Sequence, residues 1–330
     1  MSLHSYQASQ YNRYLIPVFI GSDEKKFSLI FDTGSSGIWV LSDKASHSEK
    51  EKGYNPDESS TSSKMEGYSW EVDFGFGKSL SGPVYTDTLV LNPGSTTVVS
   101  QSQAIQVVES SSTFGDEQDI VGVMGVGFKS RSPVKPEPQP NFIDNVIDIL
   151  VNKVFSLDFS NGRGGSIKFG YIDSKAYSGK IGYSPVDNTA GLWNFTIGGL
   201  ISDNIPAPSG IEYAIADTAS PMTLLPMSYT ATYYKKIPGA RYSHTYGGFV
   251  FPCFTIFPDF TFKVDDVTIV IHGHNIQYSA LDEDRKLCFG SLQPSDDLGL
   301  NVIGDNAFMS SYVVFDPITL SIGWAREVMW

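Results

Sequence analysis

The stretch Ile30-Phe31-Asp32-Thr33-Gly34-Ser35-Ser36-Gly37-Ile38-Trp39-Val40 decides the fold. It reads as a buried strand that stops at a carboxylate, then a tight turn of small residues, then a second apolar run. An Asp at the end of a buried strand is costly unless hydrogen-bond donors or a shared proton compensate for the lost water. The pattern returns in Ala214-Ile215-Ala216-Asp217-Thr218-Ala219-Ser220. Two apolar strands, each ending in Asp-Thr-small-Ser, predict one site assembled from two halves of the chain.

The flanking segments support this reading. Residues 14–21 and 27–32 are apolar, β-rich runs that predict a hairpin. Residues 42–64, rich in Ser, Lys, Glu and Asp, read as a solvated surface excursion. Trp70-Glu71-Val72-Asp73-Phe74 alternates with the strand period, Gly75-Phe76-Gly77 reverses the chain, and residues 83–91 return it. Residues 120–128 are apolar and spaced by glycines, which suits a buried strand with close backbone approach. Apolar positions 142, 143, 146, 147 and 150 predict a helix over 141–150, and a second short helix is expected near 227–234. Val123-Met124-Gly125 in the first half has a counterpart in Val302-Ile303-Gly304 in the second. The second half thus repeats the first in outline, as an internal duplication of mostly β structure would.

At 330 residues the chain is long enough for two domains with substantial cores. Its 17 Tyr, 21 Phe and 31 Gly favour strands and tight turns over helices. The net charge of −13 and the lack of a basic stripe argue against nucleic acid as a partner. No apolar run reaches the length of a membrane span, so no membrane partner is expected. Cys253 and Cys288 permit one disulfide, and two reduced buried thiols are the alternative. Asn194-Phe195-Thr196 is a glycosylation sequon, a triplet that also arises by chance. The polar first 14 residues contain no signal core, which leaves two readings open: an intracellular protein, or a secreted one whose leader is not in this sequence.

With both Asp-Thr turns and both apolar-apolar-Gly strands in view, the chain resembles the pepsin-type aspartic proteases, most of all the fungal secreted members. The resemblance covers nearly the whole length. It runs through residues 31–36 with Trp39, the hairpin 70–88, residues 120–128 and Ile215-Ala216-Asp217-Thr218. It continues through Val250-Phe251-Pro252-Cys253, Cys288-Phe289-Gly290 and Ile303-Gly304-Asp305. It implies a mostly β, bilobal fold: two related β-barrel-like lobes, a cleft between them and few short helices. The lobes would be 1–186, with the Asp32 loop and a flap hairpin at 68–82, and 187–330, with the Asp217 loop. It implies an endopeptidase whose catalytic residues are Asp32 and Asp217, working in acid on peptide or protein substrates with apolar side chains. Thr33 and Thr218 would cross-link the two loops. Ser35 and Ser220 would hydrogen-bond the outer carboxylate oxygens, and Gly34 and Ala219 would bring backbone amides close. Trp39, Phe74, Gly75, Phe76, Gly77, Ile120 and Pro221 would line the substrate site. The resemblance also implies a Cys253–Cys288 disulfide, a monomer, and a secretory route with a leader and prosegment upstream. Hydrolysis by two carboxylates and a water needs no metal or organic cofactor.

Four positions depart from the family pattern. Phe74 stands where a Tyr is usual, so Trp39 is expected to lose its customary hydroxyl partner. Phe76 replaces a common Asp at the flap tip. Ala219 replaces the Gly after the second Asp-Thr, and Pro221 replaces a hydroxyl residue and removes an N–H. Their clustering motivates an alternative: a pepsin-type fold whose altered cleft binds or transforms a small apolar molecule, or acts as a pseudo-protease. Other chemistries are weaker. His272-Gly273-His274 offers two histidines without a third metal ligand. Ser35 and Ser36 lack a nucleophile-elbow pattern and a placed His. Asp305 reads as a local hydrogen-bonding residue.

Overall fold

The computed structural model describes residues 2–8, 13–45, 53–73, 79–92, 97–111, 121–159, 165–201 and 212–328. The chain forms two compact units. The first holds Met1–Val154, Ser166–Tyr171 and Asn188–Leu192, and the second holds Phe155–Gly165, Ile172–Asp187 and Trp193–Trp330. Strands dominate both, and the α-helices are short.

In the first unit, strand Arg13–Ile20 pairs antiparallel with Lys25–Asp32, Leu15 facing Ile30 and Val18 facing Phe27. From Phe27 onward the second strand is buried on both faces, which explains its unbroken apolar sequence. We term it the entry strand, because it delivers Asp32. The exit strand, Ser36–Leu41, leaves the turn. Strand Gly122–Val126 lies between the two. It runs parallel to the entry strand, with Asp32 opposite Gly125, and antiparallel to the exit strand, with Gly37 opposite Gly125.

The expected hairpin is formed by Ser63–Asp73 and Ser79–Leu91, with Trp70 opposite Gly82 and Asp73 opposite Ser79. Its tip, including Phe74, Gly75, Phe76 and Gly77, lies outside the described residues, as does Ile120. The helix expected over 141–150 is shorter. An α-helix spans Phe142–Val146 and tightens into a 3₁₀ turn at Ile147–Ile149. The β-branched Ile147, Ile149 and Val151 disfavour a longer α-helix.

Most described residues of the polar excursion at 42–64 are exposed or half-buried, as expected, but it also carries a buried anchor. Tyr54 within it is 2 % exposed, and its hydroxyl donates to Asp87 Oδ2 at 2.8 Å. Asp87 is itself buried and also accepts from Ser59 Oγ, Thr61 Oγ1 and the Thr88 amide. A buried carboxylate must be hydrogen-bonded, and the Ser/Thr run supplies the donors. The excursion is therefore anchored.

The second unit repeats the central arrangement. Entry strand Glu212–Ala216 runs parallel to Asn301–Ile303, with Ala216 opposite Ile303, and exit strand Thr223–Leu225 crosses the same strand antiparallel, with Leu224 opposite Val302. Strand Asn194–Ile201 flanks the other edge of the entry strand. Aromatic side chains fill the core. Phe155 stacks on Phe315 with centroids 4.6 Å apart, and Phe195 stacks on Trp324 at 5.7 Å. The second helix forms at Met227–Tyr234, where the sequence places it. Strand Gly248–Pro252 pairs with Leu287–Gly290, Phe251 facing Cys288, and Cys253 and Cys288 form a disulfide.

Candidate active site

Asp32 ends its entry strand with 8 % of its surface exposed. Its Oδ1 accepts from the Gly34 amide at 2.7 Å, and its Oδ2 accepts from the Ser35 hydroxyl at 2.5 Å. Donors aimed at a carboxylate stabilise its charged form. Thr33 is fully buried.

A chain of contacts holds this turn. The Ser35 carbonyl accepts from the Gly127 amide at 2.7 Å. The Gly127 carbonyl in turn accepts from the Asn141 side chain. Asn141 caps the helix Phe142–Val146 through a capping box. Its Oδ1 accepts from the Asp144 amide, and Asp144 Oδ2 accepts from the Asn141 amide, both at 3.0 Å. Burial pushes the Asp144 carboxyl up. The sequence reading missed Asn141. Its signal was present as Asn-x-x-Asp ahead of an apolar helical pattern.

Asp217 is framed differently. Its Oδ1 accepts from the Ala219 amide at 2.9 Å and the Ser220 amide at 3.2 Å. The expected bond from the Ser220 hydroxyl to the carboxylate is replaced: that hydroxyl donates to the Met222 carbonyl at 3.0 Å. The Asp217 amide donates to Ile303 O at 3.0 Å, and the Asp305 amide donates to Ser220 O at 2.8 Å. Thr218 is buried, and Ala219 and Pro221 are partly exposed. Behind the turn, the Thr223 hydroxyl donates to Asn306 Oδ1 at 2.6 Å, and Asn306 Nδ2 donates to Ser291 Oγ at 2.9 Å. Nothing in the residue pattern marked Asn306 or Ser291, because neither lies near Asp217 in sequence.

The glycines of the two apolar-apolar-Gly strands have one explanation. A Cβ on Gly125 would lie 2.8 Å from the Ser35 and Gly37 carbonyl oxygens, and one on Gly304 would lie 2.1 Å from Met222 O. Each strand passes directly against the backbone of an Asp turn or exit strand. No side chain fits there.

The remaining candidates fall as follows. Trp39 is buried on the first exit strand, beside Gln106 and Val123, and has interaction partners there. Asp305 hydrogen-bonds locally through its carbonyl, which accepts from the Met309 amide, but its carboxyl is 1 % exposed and its Oδ1 has no partner among the described residues. Burial pushes that carboxyl well above the usual carboxylate range. His272 sits between Asp259 and Glu327, at 3.5 Å from each. No group of three His, Cys, Asp or Glu side chains among the described residues is arranged to hold a metal. Asn194 of the sequon lies in a strand paired on both edges, and the Thr196 and Ser184 hydroxyls are 2.8 Å apart.

The sequence profile of the eukaryotic aspartyl proteases matches residues 13–327. The chain belongs to that family. As a member, it is an aspartic-type endopeptidase. The protease is 36 % identical over 320 residues to aspergillopepsin-1 of Aspergillus fumigatus, covering 96 % of this chain and 79 % of the relative. It is 36 % identical over 318 residues to penicillopepsin-3 of Penicillium janthinellum, covering 96 % and 79 %. Endothiapepsin of Cryphonectria parasitica is also 36 % identical over 318 residues, covering 95 % and 75 %. In structure, the protease is similar to the aspartic proteinase from Irpex lacteus. The TM-score is 0.79 at 23 % identity, covering 99 % of this chain and 97 % of that one, which establishes the pepsin-like fold.

Proposed function

We propose that the protease cleaves internal peptide bonds in acid, with Asp32 and Asp217 acting as one pair on one water. Two nearby carboxylates share a proton because both cannot easily ionise. The charged member takes a proton from the water as its oxygen attacks the scissile carbonyl carbon. The protonated member polarises the carbonyl and then protonates the leaving nitrogen as the C–N bond breaks. The observation that carries this reading is the matched frame: Asp32 ends and Asp217 directly follows an entry strand whose last residues are buried, each entry strand lies against a parallel strand that carries or directly precedes a glycine, and amides are aimed at each carboxylate.

The finer roles belong to the same proposal. Thr33 and Thr218 tie the two turns together. Trp39, Phe74, Gly75, Phe76, Gly77, Ile120 and Pro221 contact substrate, and their apolar character selects large apolar side chains. The hairpin 68–82 is the flap. The disulfide suits an oxidising compartment, so secretion is the fitting localisation, and the protease acts as a monomer in this proposal.

The test is cleavage of a denatured protein between about pH 3 and 7, with and without a statine-type mimic of the tetrahedral intermediate. Wild type should cleave in acid and be blocked by the mimic, and Asp32→Asn and Asp217→Asn should not cleave. Absence of both cleavage and mimic binding at every pH would overturn the proposal. The altered-cleft alternative draws on Ala219 and Pro221. Retained binding of a small apolar molecule by a non-cleaving wild type would favour it.

A further inference from the structure

Ser35 and Ser220 hold the same place in the two Asp-Thr-small-Ser turns, yet their hydroxyls go to different acceptors. A serine hydroxyl has one proton to donate. Ser35 gives it to Asp32 Oδ2, and Ser220 gives it to the Met222 carbonyl. Pro221 stands between donor and acceptor and has no N–H of its own. The Met222 carbonyl is pressed against Gly304, where any side chain would collide with it. The Ser220 carbonyl accepts from the Asp305 amide. The segment 220–222 is therefore stitched at both ends, to itself by the serine hydroxyl and to the 304–305 segment by its backbone.

We propose that the Ser220 side chain is a positioning group for Pro221, fixing the wall that receives the peptide, and that this hydroxyl, unlike the Ser220 amide, does not tune the acid strength of Asp217. The bridge from hydroxyl to carbonyl spans the proline and limits its movement. This rests on the reading of Asp32 and Asp217 as the cleaving pair and of Pro221 as a substrate contact.

The two serines then have separable signatures. Removing a donor from a carboxylate destabilises its charged form, so Ser35→Ala moves the acidic limb of the kcat/KM profile to higher pH. Ser220→Ala leaves that limb in place. It raises KM about 2- to 10-fold, as expected for one modest hydrogen bond, with kcat nearly unchanged, the mark of lost uniform binding. Ser220→Thr keeps a hydroxyl and recovers KM.

The experiment is a pH series of kcat and KM on one peptide substrate for wild type, Ser35→Ala, Ser220→Ala, Ser220→Gly and Ser220→Thr, with a urea midpoint for each. The Gly variant serves if the Ala variant does not fold. The result expected is a limb shift in Ser35→Ala alone and a KM rise in the Ser220 variants without a hydroxyl. A limb shift in Ser220→Ala or Ser220→Gly equal to that of Ser35→Ala overturns the proposal, as does an unchanged KM. Failure of the underlying reading would show separately, as undiminished cleavage by Asp32→Asn or Asp217→Asn.

Discussion

The two Asp turns share a backbone plan and differ in how their side chains are used. In the first unit, a serine hydroxyl and a glycine amide converge on the carboxylate, and a capped helix braces the turn through Gly127. In the second, two backbone amides do that work. The hydroxyl satisfies a carbonyl, and a buried Thr223–Asn306–Ser291 network braces the turn from behind. A duplicated strand frame therefore constrains where an Asp sits but leaves open which groups surround it. Backbone pairing sets the first, and individual side chains set the second.

The comparison can be broken most directly at the acids. If the turns contribute equally to one reaction, Asp32→Asn and Asp217→Asn each lower kcat/KM by about 10⁴-fold, near the upper range for general acid–base groups. A loss confined to one variant would show that the halves do not act as a pair.

The next effect is confined to the second unit. Replacing Cys253 and Cys288 together with Ser opens a loop that spans 35 positions in sequence. The expected loss is about 3–4 kcal/mol of stability. Urea unfolding followed by a probe in each unit would show the second unit melting first, and coincident loss in both would contradict separate stabilities.

The glycine positions test the shared frame itself. Gly304→Ala and Gly125→Ala should each destabilise by about 1–3 kcal/mol through overpacking. The larger loss should be at Gly304, where the added carbon meets Met222 O more closely. Thermal midpoints would rank them, and a reversed order would show that the first turn is the more rigid.

The smallest effect concerns Asp305, which has no acidic counterpart at the matching position of the first unit, where Val126 follows Gly125. Its folded carboxyl is raised, so the native chain keeps a proton that the unfolded chain releases. Stability from this group is therefore complete below the unfolded carboxylate value and falls as pH rises toward the raised folded value. Asp305→Asn cannot ionise and should be more stable than wild type at pH 7 but not at pH 3, by urea midpoints. An equal gain at both pH values would assign the effect to packing.

Much of this site was legible in the chain. The entry strands, the Asp-Thr turns and the apolar-apolar-Gly strands follow from local periodicity and from the cost of burying a carboxylate. The Tyr54–Asp87 anchor was not legible, since Tyr54 sits in a stretch whose composition looks solvated and Asp87 lies 33 positions away in the returning hairpin strand. The same holds for Asn306 and Ser291. The destination of the Ser220 hydroxyl was misread because Asp-Thr-Ala-Ser resembles Asp-Thr-Gly-Ser closely enough to imply the same bond.

The sequence alone determined the β architecture, its duplication and the two Asp-Thr turns, because strand periodicity and a motif repeated in context are local properties of the chain. The tertiary structure decided which donors serve each carboxylate, why Gly125 and Gly304 must be bare, and why burial raises the Asp305 carboxyl. Those depend on which backbone passes within a few ångströms of each side chain, and that is set only once distant segments pack together.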